Sequence, residues 1–102
     1  MELVVLIYEL TAKLPTSEQY GLISQVRRCV ISIPSNIAEG SKRSSRKDFR
    51  NFLMISNAST AELETQLLLI ERLYPIIETS EVKTKLIEIQ KILSVLIKRF
   101  DS

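Results

Sequence analysis

Seven basic side chains crowd one stretch of the 102-residue chain: Arg27, Arg28, Lys42, Arg43, Arg46, Lys47 and Arg50. Only Glu39 and Asp48 oppose them there, so the segment from Arg27 to Arg50 carries +5, the remainder −3, and the whole chain +2. Lysine and arginine neutralise phosphates and release counterions without reading sequence, which makes polyanion binding the chemistry this stretch offers. Phe49 and Phe52 fall at core spacing, so base stacking is not indicated. Any nucleic-acid contact is expected at the backbone or at folded RNA shape. The competing reading is a solvated basic end, or one that pairs with acidic residues of a neighbouring subunit.

Catalytic chemistry has little to work with. Histidine is absent, which removes the imidazole base, the Ser-His-Asp arrangement and the usual transition-metal ligands. Cys29 is the only cysteine, so neither an internal disulfide nor a cysteine zinc site can form. Its expected role is that of a small buried hydrophobe. The two glycines, Gly21 and Gly40, make no phosphate loop. Glu62, Glu64 and Glu71 lack the histidines that a di-iron bundle needs. Asn36 and Glu39 have the types of a catalytic acid and helper, but structural polar contacts are the expected use. The composition points to a non-enzymatic protein without metal or cofactor.

A second polar set runs beside the apolar residues of the second helix. Gln25, Arg28, Ser32, Asn36, Glu39 and Arg43 recur at threes and fours, within one narrow helical sector. Two accounts remain open: a polar edge facing solvent, or a hydrogen-bonded seam against a partner helix or subunit, formed by Gln25, Ser32, Asn36 and Glu39.

The elements that would position these residues are helices. Leu3, Ile7, Leu10 and Leu14 share one face of a first helix over about 2–13, ended by Pro15. Thr16 or Ser17 is expected to cap a second helix over 17–40, with Leu22, Val26, Cys29, Ile33 and Ile37 as its main stripe. Pro34 removes one helical hydrogen bond, yet the apolar phase survives across it. A kinked continuous helix ending at a left-handed Gly40 is favoured over two helices broken at Ser32–Ser35.

Ser41–Ser45 reads as an exposed connection, and Ser45 with Asp48 has the spacing of a capping box. A third helix over 46–74 places Phe49, Phe52, Ser56, Ser59, Leu63, Leu67, Ile70 and Tyr74 on one face, with a small middle that admits another backbone. Thr79 or Ser80 is expected to cap a fourth helix over 80–100, seamed by Val82, Leu86, Ile89, Leu93, Leu96 and Phe100. The fold class is all-α, a single antiparallel up-and-down four-helix bundle. Its apolar surface exceeds what one core requires, which predicts a homo-oligomer. No apolar run is long enough to span a membrane, and no signal-peptide pattern is present, so a cytoplasmic protein is expected.

Several runs carry a resemblance: Tyr8-Glu9-Leu10-Thr11, Glu18-Gln19-Tyr20-Gly21-Leu22, Gln25-Val26-Arg27-Arg28, and above all Ser32-Ile33-Pro34-Ser35-Asn36-Ile37-Ala38-Glu39-Gly40. With Arg43, Phe49, Phe52-Leu53, Ser59 and Glu62-Leu63-Glu64-Thr65, they resemble the bacterial four-helix-bundle family associated with intervening sequences of 23S ribosomal RNA genes. The resemblance implies an up-and-down bundle and ring-shaped pentamers. It also implies a fold similar to accessory proteins of diversity-generating retroelements, which bind nucleic acid and a reverse transcriptase. Leu14-Pro15 departs from the common Phe-Pro, Cys29 replaces a small alanine, and the first helix starts late. The functional expectation is an oligomeric bundle that binds structured RNA or other nucleic acid through Arg27, Arg28, Lys42, Arg43, Arg46, Lys47 and Arg50. The alternative is a protein-interaction or scaffold module with no nucleic-acid role.

Overall fold

The computed structural model describes residues 1–101. Four α-helices follow one another: α1 (Glu2–Thr11), α2 (Ser24–Ser41), α3 (Arg46–Leu73) and α4 (Ser80–Arg99). α1 packs on α2 and α4, and α3 packs on the same two, which closes an up-and-down bundle. The molecule is elongated, 44 × 23 × 19 Å.

Helix length sets this shape. α3 has 28 residues and α1 only 10, or ~42 Å against ~15 Å. The first turn of α1 meets α4 where Lys85 Nζ reaches Glu2 Oε2 at 3.3 Å. The far half, toward Arg99, is therefore built from α2, α3 and α4. Leu3, Ile7, Leu10 and Leu14 are all buried in the main core with Val26, Cys29, Val30, Ile33, Leu63, Leu67 and Ile70. Leu53 and Leu93 are buried outside that cluster.

Three local expectations need correction. α2 does not begin at residue 17. A 3-10 turn over Thr16–Glu18 and a wide π-type turn over Gln19–Ile23 precede it, and the Gly21 backbone (φ −111°, ψ −106°) leaves helical geometry. Neither Thr16 nor Ser17 caps it; the Tyr74 hydroxyl instead donates to Glu18 Oε2 and ties this connection to the end of α3. Gly40 is not a left-handed stop, because α2 continues through Ser41 and Lys42 stays right-handed (φ −90°, ψ −5°). A Cβ at Gly40 would lie 2.6 Å from Phe52 Cβ and 2.9 Å from Phe49 Cδ1, so the glycine lets α3 approach. Across Pro34, α2 is uninterrupted.

The inward face of α3 is also rotated from the expected stripe. Leu53, Ser56, Thr60, Leu63, Gln66, Leu67 and Ile70 are buried, whereas Phe49, Phe52, Ser59 and Tyr74 are half-buried. Close approach in its small middle is direct: Ser56 Oγ donates to the Ile33 carbonyl at 2.9 Å. Ser45 Oγ accepts from the Asp48 amide at 2.9 Å, as the capping box requires. α1, α3 and α4 each stop a residue or two short of the expected ends, at Thr11, Leu73 and Arg99.

Candidate nucleic-acid interface

The antiparallel order brings the C-terminus of α2, the N-terminus of α3 and the C-terminus of α4 to one end of the bundle. Phe49 and Phe100 fix this meeting edge to face, with ring centroids 4.8 Å apart. Five of the seven basic candidates lie here: Lys42, Arg43, Arg46, Lys47 and Arg50. Lys98 and Arg99 join them from α4. As cations in the last turn they also suit the negative end of their own helix. The signal that would have found them is topological, because an antiparallel α4 must end where α3 begins. Against these seven basic groups stand Glu39, Asp48 and Asp101, a net +4.

The basic groups at this end are held differently. Arg46 Nη2 donates to the Arg99 carbonyl at 2.9 Å, and its guanidinium lies 4.6 Å from the Phe100 ring centre. It thereby satisfies a carbonyl at the end of α4. Arg43 Nη2 donates to Glu39 Oε1 at 2.6 Å and sits 5.0 Å from the centre of Phe52. Arg50 reaches Met54 Sδ at 3.2 Å and Asp101 Oδ1 at 3.6 Å. Its Nε is buried and unpartnered among the described residues. Lys42 and Lys47 are exposed, and no hydrogen bond or ion pair engages either ammonium group among the described residues.

Arg27 and Arg28 are elsewhere. Fourteen or more positions before Lys42 on the same helix, they lie ~21 Å or more from that end. Arg27 is a structural clamp: its Nε donates to Thr11 Oγ1 at 2.8 Å, and its guanidinium covers the Tyr8 ring at 4.3 Å. Buried Thr11 in turn donates to the Ile7 carbonyl at 2.7 Å. Arg28 is exposed and lines a groove of about 490 Å³ between α2 and α3 with Gln25, Ser32, Asn36, Ser59 and Glu62.

The polar seam divides along this groove. Ser32 Oγ bonds Ser59 Oγ at 2.6 Å, and Asn36 Nδ2 donates to the Ser32 carbonyl at 2.8 Å. These two are half-buried, while Gln25 and Glu39 are exposed. The Cys29 thiol at the groove floor approaches the Ser59 carbonyl at 3.2 Å. Burial, with Glu62 nearby, pushes its pKa up to about 12. The thiol is therefore neutral and a poor nucleophile, in keeping with a packing role.

Among the described residues no helix is long and apolar enough to cross a membrane, and no cluster of three acidic or cysteine side chains could hold a metal. Fold and surface together define an all-α, up-and-down four-helix bundle with a basic end. A family model described as 23S rRNA-intervening sequence protein matches residues 1–95, and the chain belongs to that family. No curated protein matches it.

Proposed function

We propose that this chain is a non-enzymatic, self-associating bundle protein that binds structured RNA through the basic end formed by α2, α3 and α4. One observation carries the reading: seven basic groups from three helix termini converge there, and the ammonium groups of Lys42 and Lys47 have no internal partner among the described residues. The family's association with ribosomal RNA genes supports RNA as the polyanion. Arg43 and Arg46 lie over phenylalanine rings, so these rings are poor platforms for bases, and contact falls on phosphates. Arg27 serves α1 and takes no part; Arg28 lies outside the patch.

The test is titration of a labelled RNA hairpin at two salt concentrations. Binding is expected to weaken steeply between about 50 and about 200 mM salt, with Lys42→Glu/Lys47→Glu costing about tenfold or more at the lower one. No binding at low salt, or binding indifferent to that double reversal, refutes the reading.

A second reading, a protein-interaction module, is favoured by the apolar groups left outside on α3 and α4. Leu68, Leu69 and Leu73 are each about half exposed or more, as are Ile87, Ile92 and Val95. Self-association of these faces, pentameric as the family resemblance implies, accommodates them without excluding the basic end from RNA.

A further inference from the structure

We propose that Glu39 is a built-in competitor for the phosphate site. Its carboxylate occupies the Arg43 guanidinium until a polyanion already held by Lys42 and Lys47 displaces it. The inference rests on the RNA-binding reading above and assigns that site its selectivity for arrays of phosphates over isolated anions.

The geometry is specific. Glu39 Oε1 lies 2.6 Å from Arg43 Nη2, one helical turn away, with the two side chains 54% and 46% exposed. An ion pair this open to water is weak and screened, so a stronger anion can replace it. A phosphate presents more acceptor oxygens than the carboxylate and matches the guanidinium fork in two parallel hydrogen bonds. Phe52 supports the guanidinium, so Arg43 keeps its place when its partner changes.

An isolated anion gains little from this exchange, because it must break the pair for one new contact. A phosphate backbone first engages Lys42 and Lys47, and the tether then raises the effective concentration of the next phosphate at Arg43. Glu39 thus biases the site toward polyvalent ligands.

The test compares wild type, Glu39→Gln and Glu9→Gln on a labelled RNA duplex, with folding checked by circular dichroism. Glu9 is exposed on α1 and controls for the change in net charge. Glu39→Gln is expected to tighten binding about two- to fivefold at low salt and to steepen the salt dependence by about one counterion. Glu9→Gln should leave both nearly unchanged. If Glu39→Gln binds no better than Glu9→Gln while Lys42→Glu/Lys47→Glu still weakens binding about tenfold or more, Glu39 is no competitor and only this inference falls. If wild type does not bind the duplex at all, the RNA-binding reading falls with it.

Discussion

Glu78 shows how a side chain can take a role that its neighbours were expected to fill. Thr79 and Ser80 are the conventional caps for α4, yet Thr79 makes no side-chain cap bond. The Ser80 amide instead donates to Glu78 Oε1 at 2.9 Å. That backbone hydrogen bond, above all, holds the Glu78 carboxyl below its ordinary value of 4.5. A carboxylate favoured in the folded state stabilises above its unfolded pKa, and the contribution disappears as pH falls through the lowered folded value. Glu78→Gln is therefore expected to lower the urea midpoint at neutral pH, with the gap to wild type closing in acid, below the ordinary carboxylate range. An equal gap at both pH values would show that the charge contributes nothing. Arg27 makes a related point about charge: its sequence position suggested a phosphate ligand, but its contacts are to Thr11 and Tyr8.

At the scale of elements, Gly40 concentrates the difference between spacing and packing. Its place before a polar run suggested a helix stop, because sequence shows composition but not what lies across the helix. In the fold it admits Phe49 and Phe52, and a methyl there would meet a backbone-anchored Cβ at 2.6 Å. Gly40→Ala gains about 1 kcal/mol in helix propensity. Overpacking costs about 1–3 kcal/mol, and the neighbour that must move is Cβ rather than a flexible tip. A net loss of stability, read by thermal unfolding, is the expected result; a gain would mean that α2 and α3 separate readily.

The same contrast explains what was legible. The strict stripes of α1 and α4 located both helices, and Ser45 marked the start of α3 to the residue. The α3 face was misjudged because its buried polar residues, Thr60 and Gln66, are invisible to an apolar pattern. The entry to α2 was missed because no periodicity encodes the wide turn at Gly21. For the site, sequence proximity grouped Arg27 and Arg28 with the others, although one helix carries them to a different level. Chain distance likewise hid Lys98 and Arg99, which only the antiparallel closure brings in.

For the whole molecule, surface area argues for assembly. The chain exposes 6499 Å², about 600 Å² more than the ~5,900 Å² expected of a compact monomer of this mass. Its radius of gyration, 14.5 Å, likewise exceeds the ~12.8 Å expected for its length. The excess is of the order of the ~800 Å² that one partner contributes to a standard interface, and it includes apolar groups. Leu68 and Ile87 border a shallow groove of about 180 Å³ between α3 and α4, flanked by Lys83–Glu71 at 2.7 Å and Gln90–Glu64 at 3.0 Å. An apolar centre rimmed by polar groups is how protein interfaces are commonly built. Light scattering at micromolar concentration should therefore give a mass at least twice the 11.7 kDa of one chain. Leu68→Glu/Ile87→Glu should return it to that of a single folded chain, because both side chains are half exposed within the monomer. A monomeric wild type would remove assembly from the proposed function. An assembly that survives the double substitution would place the interface on another face. The basic end is independent of that outcome, since Lys42 and Lys47 sit at the helix termini rather than on the α3–α4 flank. RNA binding by a forced monomer, weaker only by the loss of multivalency, would separate the two properties.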